Sequence, residues 1–378
     1  MSKVKLGDVA IEHKETCGGS KDGYPIVGLE HLTPEEVTLT AWDENSDNTF
    51  TKVFRKGNVL FGRRRAYLRK AAVAPFDGIC SGDITVIEAI PDRILPELLP
   101  FIIQNDGLFS FAVGKSAGSL SPRVKWEHLK NYEFELPSMD RQCELAELLW
   151  AMDTTKKSYQ KLIAATDELV KSQFMEQFGS YLGDETRCAT VEQVCTVFAD
   201  GDWIESKDQA DDGIRLIQTG NVGNGVYLDK GERARYIDEE TFVRLNCTEV
   251  LPNDILISRL PDPVGRACII PDGLGKSITA VDCSIVRLKS HVLPEFFVAY
   301  TMTTLYAAQI GSSVTGSTRK RISRKNLGQV VIPTPDIDQQ EQFAAFVRQS
   351  DKSKFAIQCC SNLNLSICSE SLRTAQTQ

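Results

Sequence analysis

Arginine and lysine side chains are concentrated at matching places in the two halves of this 378-residue chain. Arginine can neutralise a phosphate or form a bidentate contact with guanine, and serine can anchor the backbone of DNA. One basic cluster alone is more often a solvated surface, but these clusters recur in a chain whose net charge is −8. We therefore predict that both halves contact DNA. The candidate residues are Arg63, Arg64, Arg65, Tyr67, Arg69, Lys115, Ser119, Ser121, Arg123 and Lys125 in the first half, and Arg259, Arg266, Ser317, Arg319, Lys320, Arg321, Arg324 and Lys325 in the second.

No catalytic or metal-binding motif emerges from the sequence. Residues 273–277 end like a phosphate-binding loop, but Ile270 occupies the place of the required first glycine. Asp202 and Glu205 loosely imitate a nuclease cluster, although they lie in a polar segment and not on the rigid strand that Mg²⁺ would need. No histidine lies at a spacing typical of a triad or a metal site. We predict a chain without catalysis, metal or cofactor of its own.

The cysteines and the distribution of apolar residues together indicate the cellular compartment. The eleven cysteines include no Cys-x-x-Cys pattern, and the adjacent Cys359 and Cys360 cannot easily chelate one ion. No run of about 18 apolar residues could span a membrane, and the N-terminus lacks the apolar core of a signal peptide. We expect a cytoplasmic protein with reduced thiols. The cysteines predicted to be small core residues are Cys80, Cys143, Cys195, Cys268 and Cys283.

The elements that would position the basic residues form an internal repeat. Residues 55–63 recur at 251–259, residues 118–124 at 316–322, and residues 134–137 at 330–333. We call these three pairs block one, block two and block three. All keep the same order with an offset of 196 to 198 residues, which predicts a tandem duplication. Block one resembles a turn followed by a buried strand that ends at an arginine.

After each third block the apolar spacing becomes helical. The first helix is predicted from Asp140 to Phe178, roughly 55–60 Å at 1.5 Å per residue. Its narrow apolar stripe favours a coiled coil over a core helix of one domain, and its obvious partner is the second helix. Antiparallel pairing of two duplicated units would give an α+β, pseudo-two-fold molecule. The predicted seam consists of Leu145, Leu149, Met152, Tyr159, Leu162, Leu169, Phe343, Phe346 and Ile357.

Several of these segments together form a distinctive pattern. The first half contains residues 57–73, 80–83 and 136–142, and the second half echoes them at residues 254–259, 316–317 and 332–333. This arrangement resembles the specificity subunits of type I restriction-modification systems over essentially the whole chain. The resemblance implies two tandem α/β target recognition domains joined by two long antiparallel coiled-coil helices. The implied boundaries are 1–139 and 181–337 for the recognition domains, 140–180 for the central spacer helix and 338–378 for the C-terminal helix.

The resemblance also implies a function and partners. Each recognition domain would bind one half of a split double-stranded DNA target, and the helices would set the gap between the half-sites. Methyltransferase subunits, expected to number two, would bring S-adenosylmethionine and methylate adenine. Restriction and translocase subunits would bring ATP and Mg²⁺. The acidic net charge of −8 suggests poor affinity for DNA without the methyltransferase.

Three alternatives stay open at this point. The same architecture could serve another multi-subunit restriction-modification system, which differs only in its partners. A two-headed protein-binding scaffold would have exposed apolar patches in place of paired basic clusters. A hydrolase or nuclease would need metal-dependent turnover by the isolated chain.

Overall fold

The computed structural model describes residues 2–19, 21, 23–44, 48–316 and 320–374, with side chains up to residue 359. Contacts divide the chain into unit 1, Met1–Tyr159 with Cys359–Gln378, and unit 2, Gln160–Gln358. In these described ranges no helix combines the length and the apolar character needed to cross a membrane. The domain boundaries drawn from the sequence stay a prediction.

Unit 1 contains three small sheets, of which one consists of its first and last strands alone, and a group of helices. Its helices are α1 (Leu6–Val9), α2 (Leu99–Ile103), α3 (Asp106–Gly114), α4 (Trp126–Leu129) and the start of α5 (Met139–Phe178). Its strands are β1 (Ser2–Lys5), β2 (Ala10–Glu12), β3 (Ile26–Val27), β4 (Lys52–Phe54), β5 (Val59–Gly62), β6 (Ala71–Val73), β7 (Gly78–Cys80), β8 (Ile84–Ala89) and β9 (Glu133–Leu136).

The buried strand β5 is the centre of unit 1. It lies inside a four-stranded antiparallel sheet of order β2-β8-β5-β6, beside a three-stranded sheet of order β3-β7-β4. Side chains alternate along a strand, so Val59 and Phe61 pack in the helical core while Leu60 packs in a second cluster with Val27 and Phe54. Burial on both faces explains why block one is a continuous apolar run.

Unit 2 repeats this arrangement. Its helices are α6 (Val191–Val194), α7 (Glu239–Arg244), α8 (Pro294–Thr301), α9 (Thr304–Ser313), α10 (Arg324–Gly328) and the larger part of α11 (Ile337–Thr374). Its strands are β10 (Cys188–Thr190), β11 (Cys195–Asp200), β12 (Ile214–Ile217), β13 (Arg235–Ile237), β14 (Ile255–Ser258), β15 (Ala267–Ile269), β16 (Ser277–Thr279), β17 (Cys283–Leu288) and β18 (Val331–Pro333).

The sheets of the two units match strand for strand, with one exception. The order β11-β17-β14-β15 reproduces β2-β8-β5-β6, and β12 runs parallel to β16 as β3 runs parallel to β7. The third strand of the smaller sheet differs, because β4 pairs with β7 whereas β13 pairs with β12. The structure therefore confirms the α+β class, with sheets that are mainly antiparallel.

A buried glutamine attaches each long helix to its unit. The Gln142 side chain accepts a hydrogen bond from the Leu95 N–H at 2.8 Å and donates to the Pro137 carbonyl at 3.0 Å. Gln340 accepts from the Leu293 N–H at 2.9 Å and donates to two backbone carbonyls. Both glutamines follow block three, and their offset of 198 residues (340 − 142) is that of the internal repeat.

Within unit 2 the helices α5 and α11 pair antiparallel. The ring centroids of Phe174 and Phe343 lie 5.5 Å apart, and the Asp167 carboxylate lies 2.8 Å from Lys354 Nζ. Later residues of α5 thus meet earlier residues of α11, as the sequence pattern had indicated.

Three residues predicted to be buried are exposed instead. Leu162 and Leu169 are 51% and 53% exposed, and their neighbours Ile163 and Val170 occupy the packed side of α5. A shift of one residue rotates a helix by about 100° and leaves the apolar spacing unchanged, so the spacing alone does not select the buried face. Cys143, one residue after the buried Gln142, is exposed for the same reason.

The other seam residues lie on the packed side. Leu145, Leu149 and Phe343 are buried, whereas Met152, Tyr159, Phe346 and Ile357 are half-buried.

Candidate nucleic-acid interface

The basic residues that follow β5 lie where three segments of unit 1 meet. The Arg63 N–H donates to the Asp83 carbonyl at 3.0 Å, and the Val124 N–H donates to the Arg63 carbonyl at 3.0 Å. Arg123 Nε donates to the Asp83 carboxylate at 2.7 Å, and Arg64 Nη1 lies 3.4 Å from it. Hydrogen bonds from Arg123 hold the pKa of the Asp83 carboxyl below its usual range. Asp83 therefore fixes two arginines in place.

Unit 2 forms the same junction. The Arg259 N–H donates to the Asp282 carbonyl at 2.9 Å, and the Ile322 N–H donates to the Arg259 carbonyl at 3.3 Å. The Arg321 guanidinium pairs with the Asp282 carboxylate at 3.2 Å. Arg259 is buried against Asp200 at 3.3 Å, and burial lowers the pKa of its guanidinium. We call this arrangement the arginine junction of each unit.

A short loop from block two completes each junction. In unit 1 the N–H and carbonyl groups of Ala117 and Arg123 bond to each other at 3.0 and 2.9 Å, which closes the 117–123 loop. In unit 2 Thr315 and Arg321 do the same at 2.9 Å in both directions. Gly118 and Gly316 have φ of +116° and +98°, a region that favours glycine, which explains the repeated Gly-Ser step.

Several predicted contact residues already have partners within the chain. Arg69 pairs with Asp106. Arg266 donates to two backbone carbonyls of the preceding loop and to two more within residues 219–222. Arg324 donates to the Phe198 carbonyl at 2.8 Å and pairs with an aspartate of β11. These arginines hold the loops in shape, and their contact with DNA stays a prediction.

Other predicted residues keep their polar groups available. In the part of the chain that the structure describes, the Arg63 side chain has no hydrogen bond or ion pair, and its Nε is buried without a partner, like that of Arg259. Lys115 lies 5.8 Å from the Phe111 ring centroid, and Ser121 accepts from Arg64. The exposed side chains for which the described residues show no hydrogen bond or ion pair are Arg65, Tyr67, Ser119, Lys125, Lys320 and Lys325. Ser317 and Arg319 lie outside the described residues.

Two residues at the first junction were not among the predicted contacts. Lys52 lies beneath the junction and donates to the Ile84 carbonyl at 2.8 Å, and burial lowers the pKa of its ammonium group. Leu120, in the 117–123 loop, is 90% exposed. Its signal in the sequence was a single large apolar residue within a stretch of serine, glycine and proline.

The acidic residues that were considered for metal binding have other partners. Among the described residues no group of three or more His, Cys, Asp and Glu side chains could hold a metal ion. Asp202 and Glu205 do not converge, because Asp202 accepts from the Thr248 N–H at 3.1 Å whereas Glu205 pairs with Lys207 at 2.8 Å. The aspartates at the junctions pair with arginines.

A comparison with protein families identifies the second half of the chain. The family described as type I restriction modification DNA specificity domain matches residues 186–362. The matched specificity domain contains the whole arginine junction of unit 2, and the internal repeat extends the same architecture to unit 1. The resemblance to type I specificity subunits is thus confirmed.

Two curated relatives are named specificity subunits. The chain is 24% identical over 183 residues to the type I restriction enzyme EcoDI specificity subunit of Escherichia coli, covering 47% of this chain and 37% of that protein. It is 18% identical over 376 residues to the MjaX specificity subunit of Methanocaldococcus jannaschii, covering 92% and 84% of the two chains. The chain thus matches little more than a third of the length of the Escherichia coli relative.

Solved structures share the fold. The S subunit of a type I restriction-modification system from M. genitalium has a TM-score of 0.50 and 11% identity, over 98% of this chain and 94% of that one. A chain from a structure of type I system assembly has a TM-score of 0.50 and 18% identity, over 100% and 95%. At these identities the similarity shows a shared fold.

Proposed function

We propose that this chain is the DNA-recognition subunit of a cytoplasmic type I restriction-modification complex and that it has no catalytic activity of its own. Units 1 and 2 would each recognise one half of a split double-stranded DNA target. Adenine methylation would belong to two methyltransferase subunits with S-adenosylmethionine. DNA translocation and cleavage would belong to restriction subunits with ATP and Mg²⁺.

The duplicated arginine junction is the observation that carries this proposal. Each unit combines an arginine after a buried strand, an aspartate that orients a second arginine, and a glycine-closed loop. Cations for which the described residues show no hydrogen bond or ion pair surround this framework in each unit: Arg65 and Lys125 in unit 1, and Lys320 and Lys325 in unit 2. Fixed arginines together with additional cations suit duplex DNA, in which two phosphate backbones flank the paired bases.

The exposed side of α5 supports docking of a methyltransferase subunit. Leu162 and Leu169 lie seven residues apart and are both more than half exposed. Seven residues are nearly two helical turns, so both side chains are on one face, at the spacing with which a second helix packs. Replacing both leucines with serine should abolish co-purification with the methyltransferase subunit, whereas Val243→Ser, at a similarly exposed apolar site on α7, should not.

Methylation mapping tests the proposal directly. The chain is co-expressed with a type I methyltransferase subunit from the same genome, and the host DNA is sequenced with detection of modified adenine. We expect one split motif with a modified adenine in each half. A stable complex without any modified motif would favour the scaffold function, and metal-dependent turnover by the isolated chain would contradict the non-catalytic assignment.

A further inference from the structure

The 117–123 loop of unit 1 presents one large apolar side chain to solvent. Leu120 lies between two serines and is 90% exposed. An exposed leucine is uninformative by itself, since much of any protein surface is apolar. The rigidity of this loop and the charge around it make Leu120 different.

The loop that carries Leu120 is fixed at both ends and from the side. Ala117 and Arg123 close it by two backbone hydrogen bonds, and the Pro122 carbonyl accepts from the Arg65 N–H at 2.8 Å. Arg64 also donates to the Ser121 hydroxyl at 3.2 Å. The leucine therefore projects from an ordered platform.

A second loop joined to this platform exposes two more apolar groups. Arg65 and Arg69 at its ends have φ of 54° and 55°, and the Arg69 N–H donates to the Ala66 carbonyl at 2.9 Å. This turn buries Ala66 and leaves the Tyr67 ring and the Leu68 side chain exposed. The two connected loops thus each expose apolar side chains.

The charge around these side chains selects the partner. Arg63, Arg65 and Lys125 have no acidic partner in the described chain, and Asp83 is neutralised by its two arginines. A basic surface with a projecting apolar residue fits a ligand that is anionic outside and apolar inside. Duplex DNA has this character, since phosphates flank stacked bases that apolar side chains can enter.

The sequence of unit 2 does not repeat these apolar residues. After β14 its loop contains Pro261, Asp262 and Pro263 where unit 1 has a tyrosine and a leucine, and the repeat aligns Leu120 with Thr318, a residue outside the described ranges. The feature is therefore a property of unit 1 and not of the duplicated framework.

We propose, building on the proposed recognition of DNA, that Leu120 is an apolar wedge in the half-site bound by unit 1. It packs against the faces of two neighbouring bases and opens the step between them. Adenine must leave the base stack before it can be methylated. An opened step in this half-site lowers the cost of that movement for the methyltransferase subunit.

The test uses the complex with its methyltransferase and duplexes that contain the mapped target. Single adenines of either half-site are replaced with 2-aminopurine, whose fluorescence rises when its neighbour is unstacked. Wild-type complex should raise the signal in the half-site of unit 1. Leu120→Ser should lose most of this increase and bind the target roughly ten- to hundredfold more weakly, while Leu120→Met should retain both.

Two comparisons make the outcome unambiguous. Val243→Ser replaces a 73% exposed valine beside Glu239 and Glu240 and should change neither signal. Wild-type fluorescence and affinity in Leu120→Ser would overturn the wedge, as would equal losses in both half-sites. Absence of target-specific binding by the wild-type complex would instead overturn the proposed function.

Discussion

Replacement of Gln340 with leucine tests how the second long helix is attached to unit 2. Gln340 is fully buried, and its side chain accepts from the Leu293 N–H at 2.9 Å. It also donates to the His291 carbonyl at 2.9 Å and to the Pro335 carbonyl at 2.8 Å. Leucine has a similar volume but no polar atoms, so the change removes three hydrogen bonds with little change in packing.

The expected loss follows from these three bonds. A buried donor or acceptor without a partner costs about 1–3 kcal/mol. Among the described residues the Leu293 N–H donates only to Gln340, whereas each carbonyl keeps a second lone pair, and the added apolar area offsets part of the loss. We therefore expect about 3 kcal/mol for Gln340→Leu, which corresponds to roughly a 150-fold increase in local opening.

Hydrogen exchange measured by mass spectrometry reports this loss of local stability for each peptide. Peptides covering residues 291–301 should lose protection by about that factor, while peptides covering residues 93–103 stay unchanged. Gln142→Leu, the equivalent change in unit 1, should lower the protection of residues 93–103 and leave that of residues 291–301 unchanged. Protection within threefold of wild type in both variants would refute the attachment role of these glutamines.

Three further outcomes are expected. Lys125→Ala should reduce the slope of log K against log [salt], where K is the binding constant for target DNA, by about one, because one phosphate contact is lost. The slope is measured by titrating the DNA complex at salt concentrations between roughly 50 and 200 mM. Asp83 has a lowered pKa in the folded chain, so its ionic contribution to stability is present above its unfolded pKa of about 3.9 and is lost as pH falls below that value. Asp83→Asn should therefore flatten the acid limb of the stability curve from thermal unfolding. Cys143 should be alkylated in the native protein, whereas Cys268 should not, since burial raises the pKa of its thiol to about 12; peptide mapping that finds equal labelling would contradict this.

The duplication could be predicted from the sequence because it depends on local patterns. Block one predicted the buried strands β5 and β14, and the helical spacing after block three predicted the two long helices. The third strand of the smaller sheet was not predictable. The edge that this strand joins depends on which neighbouring strand offers free backbone groups. β4 pairs with β7 at one edge of its sheet, whereas β13 pairs with β12 at the opposite edge of the equivalent sheet.

The candidate site shows a similar division. The basic clusters were visible as residue types, but which cations are available depends on acidic partners that are distant in the sequence. Arg123 and Asp83 are separated by 40 residues, and Arg324 bonds to a carbonyl 126 residues away. Such pairings form only when the strands bring the segments together.

The sequence by itself determined the two-unit organisation, the α+β class and the long helices, because periodicity and repeats reflect local backbone geometry. The tertiary structure alone decided which helix face is buried, which arginines are paired and which apolar residue stays exposed. Leu162 and Ile163 show the reason. Both suit an apolar face equally well by type, and only packing against the rest of unit 2 leaves Ile163 half-buried and Leu162 more than half exposed.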